Sequence, residues 1–199
     1  VAEFGHHEVV KLASNENPLG ASPKALSILA ELENDLHLYP DGNGTKLKEE
    51  IAVHENIAFD NIILGNGSNE ILELAARAFL NSNTSAVASK HAFAVYKIVT
   101  QSSGASLTEV PACNWGHDLK SFEDYLVSST RVIFIANPNN PTGTYNNHEE
   151  VHSLLKKVPS SVLVVLDCAY FEYVTKEDYV KPLDLLHEFD NLLITKTFS

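Results

Sequence analysis

Three short stretches of the chain gather residue types that do chemistry. Gly65-Asn66-Gly67-Ser68-Asn69 sets glycines and a hydroxyl directly before a segment of helical period. Glycines there let backbone N–H groups approach an anion, and the positive end of the helix dipole favours the same charge. A phosphate is the natural guest, although many strand-to-helix turns need glycine only to turn. Asp167 follows five apolar residues, Val162 to Leu166, so its carboxylate falls at the edge of a dry region. A carboxylate there needs a cation or hydrogen-bond donors; an Asp at this point also serves as a turn or helix cap. Tyr170, three residues on, either presents a phenol to the same spot or packs as a half-buried aromatic. Asn137 to Gly143 carries three asparagines and two prolines, either a stiff frame that aims side-chain amides or an ordinary loop.

A fourth stretch, His148-Glu149-Glu150-Val151-His152, has two His at i and i+4 with Glu between them, the pattern of a helical zinc site in a metalloprotease. Glu172 is the candidate third ligand. Such a site needs that Glu on a helix facing the first, whereas a proline and an all-apolar strand intervene here. A polar helix start at the surface is the plainer reading, and no metal is expected. His6, His7, His37, His54, His91, His117 and His187 show no ligand spacing, though His91 lies close in sequence to Phe93.

The elements that must position these residues follow from hydrophobic period. Short apolar runs are expected as strands at 61–64, 84–89, 106–111, 131–136, 162–166 and 192–194. Helical spacing is expected over 70–80 (Ile71, Leu74, Ala75, Ala78), 93–101, 118–127 (Leu119, Phe122, Leu126) and 147–158. The last begins with Asn caps and two Glu near its positive end. Continuous apolar strands alternating with amphipathic helices predict an α/β protein with a mostly parallel sheet flanked by helices. Ligands of such sheets sit beyond the carboxyl ends of the strands, where the polar stretches fall. Residues 1–40 are less regular and read as an N-terminal arm and part of a small domain, with 41–199 as part of a large domain.

The chain has 199 residues, with 14 Lys+Arg against 26 Asp+Glu, a formal net charge of −12 and 44% hydrophobic residues. This is a globular composition with enough chain for a sizeable core. The acidic balance disfavours nucleic acid and anionic membrane surfaces. No apolar run reaches the roughly 20 residues of a membrane span, and the first residues do not read as a signal peptide. Two cysteines, Cys113 and Cys168, make no disulfide framework, so a cytoplasmic setting is expected. The absence of methionine and the end at Ser199, just past a strand-like run, read as a chain truncated on its C-terminal side.

The strings Lys11-Leu-Ala-Ser-Asn-Glu-Asn-Pro-Leu-Gly20, Tyr39-Pro-Asp-Gly-Asn-Gly44, Gly65-Asn-Gly-Ser-Asn-Glu70, Asn137-Pro-Asn-Asn-Pro-Thr-Gly143 and Thr195-Lys-Thr-Phe-Ser199 resemble the motifs of the histidinol-phosphate aminotransferases. Their order and spacing match over nearly the whole chain. The resemblance implies a fold type I transferase that uses pyridoxal 5′-phosphate (PLP). The implied activity moves an amino group from histidinol phosphate to 2-oxoglutarate in histidine biosynthesis, by a ping-pong route. An aromatic amino acid aminotransferase of the same branch is the alternative, and a PLP-binding fragment without catalysis a further one.

The same resemblance implies residue roles. Asp167 looks like the partner of the pyridine nitrogen. Tyr170 and Asn140 look like donors to the phenolic oxygen, and Gly67, Ser68 and Asn69, with Thr197 and Ser199, like the phosphate cradle. Phe93 stands where an aromatic stacks on the ring. Tyr39 matches a tyrosine that reaches the phosphate in the neighbouring subunit, implying a homodimer with shared sites. The family's Schiff-base lysine is expected immediately after Ser199, outside this sequence; Lys196 sits four places too early and reads as structural. Where the family usually has Glu after the cofactor aspartate, this chain has Cys168, which reads as a small buried filler or an oxidation-sensitive thiol.

Overall fold

A computed structural model describes Val10, Lys11 and residues 13–199. The chain divides into two compact units, Val1–Thr45 and Lys46–Ser199. In the first, helix α1 (Pro23–Glu31) starts on a proline, whose fixed φ suits the first helical turn. It runs on into a 3-10 turn over Leu32–Asp35.

The second unit is built on a five-stranded parallel sheet in the order β2-β1-β3-β4-β5. The strands are β1 (Ser85–Ser89), β2 (Ser106–Val110), β3 (Thr130–Ala136), β4 (Leu163–Asp167) and β5 (Leu192–Thr195). Helices α2 (Thr45–Glu55), α3 (Gly67–Phe79), α4 (Ala94–Ser102) and α5 (His148–Lys157) complete it. Both faces of the sheet are buried, which is why its central strands are apolar without alternation. On one face Ala86, Ala88, Val132, Phe134 and Val165 meet Leu72, Ala75 and Ala76 of α3 and Tyr96 and Val99 of α4. On the other, Val87, Ile133, Ile135, Val164 and Leu166 meet Val151, Leu154 and Leu155 of α5.

The order of the strands locates the binding crevice. After β1 the chain moves outward to β2, then returns to the opposite side of β1 for β3, β4 and β5. The strand order therefore reverses between β1 and β3, and in doubly wound sheets the carboxyl ends of such a pair flank the ligand. Helix α3 reaches the same edge. Its C-terminus connects within a few residues to the start of β1, so its 13 residues, at about 1.5 Å each, carry its N-terminus toward the carboxyl edge.

Two expected elements take another form. Residues 61–64 are not a strand: Asn61 closes a 3-10 turn (Phe59–Asn61), and the next residues run extended with Ile62 buried and Ile63 exposed. The expected helix at 118–127 is a 3-10 helix, Leu119–Tyr125. Its core residues Leu119 and Phe122 are three apart, the period of that tighter helix. Among the described residues no helix is long and apolar enough to cross a membrane.

Candidate active site

Asp167 ends β4 at 5% exposure, and its carboxylate collects three donors. Thr195, its partner in the β4–β5 register, donates from Oγ1 to Oδ1 at 2.9 Å. The Ala169 amide reaches the same oxygen at 3.3 Å. The Tyr96 hydroxyl donates to Oδ2 at 2.9 Å. Burial pushes the carboxyl above its ordinary value, and the three hydrogen bonds oppose that rise. The turn-cap reading of Asp167 accounts for the 3.3 Å contact alone; the side chain is a buried acceptor held from a helix on one face of the sheet and from the neighbouring strand within it.

The loop after β3 is tied down by its asparagines. Asn137 donates from Nδ2 to the Asn146 carbonyl at 2.9 Å, and its Oδ1 accepts from the Asn146 amide at 2.9 Å. Its own amide donates to the Asp167 carbonyl at 2.9 Å. Asn139 donates to the His91 carbonyl at 2.9 Å and to Thr142 Oγ1 at 2.7 Å, so the segments after β1 and β3 are joined across the crevice. Asn140 lies beside them with Nδ2 at 3.5 Å from the Tyr170 hydroxyl, so these two half-buried side chains converge on one place. Phe93 is the N-cap of α4 and meets Tyr96 edge-on, with ring centroids 5.8 Å apart.

At α3, Gly67 has φ +73°, and a Cβ built there would have nothing within 4 Å, so the backbone faces open space. Glu70 folds back on the Asn66 amide at 2.6 Å. Among the described residues the amides of Ser68 and Asn69 find no acceptor, as befits a helix start that leaves N–H groups for an anion. Thr197 and Ser199, past β5, are 2.9 Å apart through their hydroxyls. Tyr39 belongs to the first unit, where its side chain is fully exposed.

Two further buried atoms lie at the crevice. Ser89 Oγ, at the end of β1, and Asn139 Oδ1, after β3, have no hydrogen-bond partner among the described residues. Buried polar atoms are rarely left so. With the buried carboxylate and the free amides, they make a donor and acceptor set suited to a polar ring with an anionic tail, which is the chemistry of a pyridine phosphate.

The residues set apart as peripheral are engaged elsewhere. Lys196 pairs with Glu55 at 2.6 Å and Glu172 at 3.3 Å and lies 4.8 Å from the centre of the Phe171 ring. Burial opposes its charge, but the two carboxylates outweigh it and hold the ammonium above its ordinary value. A cavity of about 260 Å³ lined by Glu55, Phe171, Lys181, Pro182, Leu183 and Lys196 accompanies these ion pairs. In the His148–His152 stretch, Glu150 and Asn147 form a reciprocal cap at the start of α5. The two imidazoles stack 5.5 Å apart, and His152 pairs with Glu188 at 2.9 Å. Cys168 is fully buried and its thiol pushed far up by burial, so it is the small filler rather than a reactive thiol. His91 places its ring 5.0 Å from that of Trp115. Tyr96 escaped the reading of the sequence. It shares the helical spacing of the core residue Val99, and only its phenol, which needs a partner when buried, marks it out.

A parallel sheet covered by helices on both faces, with its strand order reversed between β1 and β3 and polar residues gathered at its carboxyl edge, defines a doubly wound α/β protein. Residues 7–199 match the model of the family "Aminotransferase class I and II", and the chain belongs to that family. It is 55% identical over 191 residues to histidinol-phosphate aminotransferase 2 of Pseudomonas fluorescens Pf-5, covering 96% of this chain and 52% of that protein. It is 48% identical over 203 residues to histidinol-phosphate aminotransferase 2 of Methylococcus capsulatus, covering 99% and 55%. The chain thus spans about half the length of the curated relatives it matches. The crystal structure of histidinol-phosphate aminotransferase from Sinorhizobium meliloti in complex with pyridoxal-5′-phosphate superposes with a TM-score of 0.88 at 26% identity, over 94% of this chain and 50% of that one. An aspartate aminotransferase from Thermotoga maritima shares the fold, with a TM-score of 0.88 at 22% identity, over 100% of this chain and 56% of that one.

Proposed function

We propose that this chain is the part of a PLP-dependent aminotransferase that holds the ring and phosphate of the cofactor, in an enzyme that transfers the amino group of histidinol phosphate to 2-oxoglutarate. The observation that carries this reading is the buried Asp167 carboxylate with its three donors, at the carboxyl end of β4, one strand from the switch point between β1 and β3. When bound, PLP supplies an electron sink that stabilises a carbanion at the substrate carbon. Asp167, kept ionised, holds a proton on the pyridine nitrogen. Asn140 and Tyr170 donate to the phenolic oxygen. The amides of Gly67, Ser68 and Asn69, with the hydroxyls of Thr197 and Ser199, hold the phosphate, and Phe93 covers one ring face and keeps water from it.

The histidinol-phosphate substrate is favoured over an aromatic amino acid by the two relatives at 48–55% identity, both histidinol-phosphate aminotransferases. In this reading residues 1–40 form an arm and part of a small domain, and 41–199 part of the large cofactor-binding domain. Tyr39 reaches the phosphate held by a second copy, which makes the enzyme a homodimer, and its setting is the cytoplasm. The test is an absorbance spectrum of the intact protein with PLP, followed by steady-state assays with histidinol phosphate and with phenylalanine. A visible band that bleaches on adding histidinol phosphate, with turnover on that substrate exceeding turnover on phenylalanine, is expected. A protein that retains no chromophore overturns the reading.

A further inference from the structure

Tyr96 is 1% exposed, and its ring lies parallel to that of Phe134 on β3, with centroids 4.9 Å apart and planes 6° from parallel. From that seat it touches two residues placed on the cofactor from different directions. Its ring edge meets Phe93 and its hydroxyl donates to Asp167, the residues proposed above for the face and the nitrogen of the cofactor ring. Thr195 approaches the other carboxylate oxygen from β5. Asp167 is therefore gripped from a helix above the sheet and from the next strand within it.

We propose that Tyr96 is a positioning residue that fixes Asp167 and Phe93 relative to each other and keeps the proton shared by Asp167 and the cofactor on the ring nitrogen. The inference rests on the reading of Asp167 given above.

The physical reason is a choice between two arrangements of one proton. In a dry site, an ionised aspartate beside a protonated pyridine competes with a neutral acid beside a neutral pyridine, the proton having moved from nitrogen to carboxylate oxygen. Burial favours the neutral pair, while each donor to the carboxylate favours the ion pair. Tyr96 and Thr195 supply the two shorter of the three donations. Burial lifts the Tyr96 phenol well above its ordinary value, so it stays a donor at working pH. A net hydrogen bond to a charged group is worth enough to change the ratio of the two pairs by about tenfold.

The test uses the intact protein loaded with PLP carrying ¹⁵N in the ring and follows the nitrogen resonance. Wild type is expected at the pyridinium position. Tyr96→Phe keeps the ring on Phe134 and removes only the hydroxyl; its resonance is expected to move toward the neutral pyridine position, with PLP bound about tenfold more weakly. Thr195→Val is expected to move it in the same direction. Replacing Tyr96 by 3-fluorotyrosine, a stronger donor of nearly the same shape, is expected to leave the resonance at or beyond the wild-type pyridinium position. Asp167→Asn serves as the control. If its resonance does not differ from wild type, the placement of the cofactor is wrong. If it differs while Tyr96→Phe matches wild type in both resonance and PLP affinity, the role of Tyr96 alone is overturned.

Discussion

Asn137 clasps the backbone of Asn146 at both ends, donating to its carbonyl and accepting from its amide at 2.9 Å each, with both residues buried. The loop between them carries Asn139 and Asn140, so this pair sets where their amides point. The Tyr179 hydroxyl donates to the Asn137 carbonyl as well, which ties the clasp to the segment beyond β4.

Asn137→Ala removes both bonds and strands two buried backbone groups. The expected cost is about 2–6 kcal/mol, since each of the two unsatisfied buried groups costs about 1–3 kcal/mol. Urea unfolding of the intact protein should show a lower midpoint with an unchanged slope. A midpoint equal to wild type would mean that water or a rearranged loop replaces the clasp.

Gly67→Ala separates backbone strain from crowding. A methyl group there meets nothing within 4 Å, but φ is +73°. The left-handed region costs a residue with a Cβ roughly 1–2 kcal/mol, so a loss of that size is expected in chemical denaturation. Binding of PLP should weaken too, because relieving the strain turns the first amides of α3 away. At Gly65, by contrast, a Cβ would lie 2.9 Å from Ile71 Cδ1, so Gly65→Ala acts by displacing the end of the Ile71 side chain rather than by backbone strain. Equal stabilities for Gly67→Ala and wild type would show that the turn adopts another conformation.

Asp41 links the Tyr39-Pro40-Asp41-Gly42 stretch to the start of α2. The Thr45 side chain and amide, with the Asn43 amide, hold its carboxyl down to about 2 from an ordinary 3.8. A carboxyl depressed in the folded state stabilises it above the ordinary value and loses that contribution as pH falls through the folded one. The cap should therefore loosen between about pH 4 and about pH 2. Carbon-detected NMR of the Asp41 side chain should show a midpoint near 2, moving up toward 3.8 in Thr45→Val. A wild-type midpoint at the ordinary value would remove the cap.

The sheet was legible because β3 and β4 are buried on both faces and so carry unbroken apolar runs, with the polar switch point directly after them. The form of residues 61–64 was not legible: four residues containing three apolar ones suit a strand, and only the lack of a neighbouring strand makes them a connector. The 3-10 helix at Leu119–Tyr125 was misread for the opposite reason, since Leu119 and Phe122 fit either helical period over so short a span. Of the site, Asp167 and the α3 turn announce themselves by chemistry next to greasy strands. The Asn137–Asn146 clasp and the Tyr96 bond to Asp167 join residues 9 and 71 positions apart, and nothing local records them.

Asp167→Asn keeps the size of the side chain and an acceptor for Thr195 but removes the charge. The protein should fold with a melting temperature near wild type, because the hydroxyl of Tyr96 can turn to accept from the new amide. Turnover should fall on the order of a hundredfold or more, the scale of losing one preorganised electrostatic partner in a dry site. Steady-state transamination by the intact enzyme measures this, and near wild-type turnover would refute the role of the charge.

Tyr39→Phe removes one hydroxyl from a fully exposed side chain, so the stability of a single copy should be unchanged. If that hydroxyl reaches the phosphate in a second copy, the variant binds PLP more weakly, by about tenfold for the loss of one hydrogen bond to a charged group. Equilibrium dialysis measures the affinity. Mixing Tyr39→Phe with Asp167→Asn protein tests the sharing, because each subunit of a heterodimer then supplies what the other lacks to one of the two sites. With PLP held low enough that the Tyr39→Phe protein alone stays unloaded, recovery of about one quarter of wild-type activity on mixing is expected if half the dimers are mixed and one of their two sites is intact. Unchanged PLP affinity in Tyr39→Phe would remove the shared site.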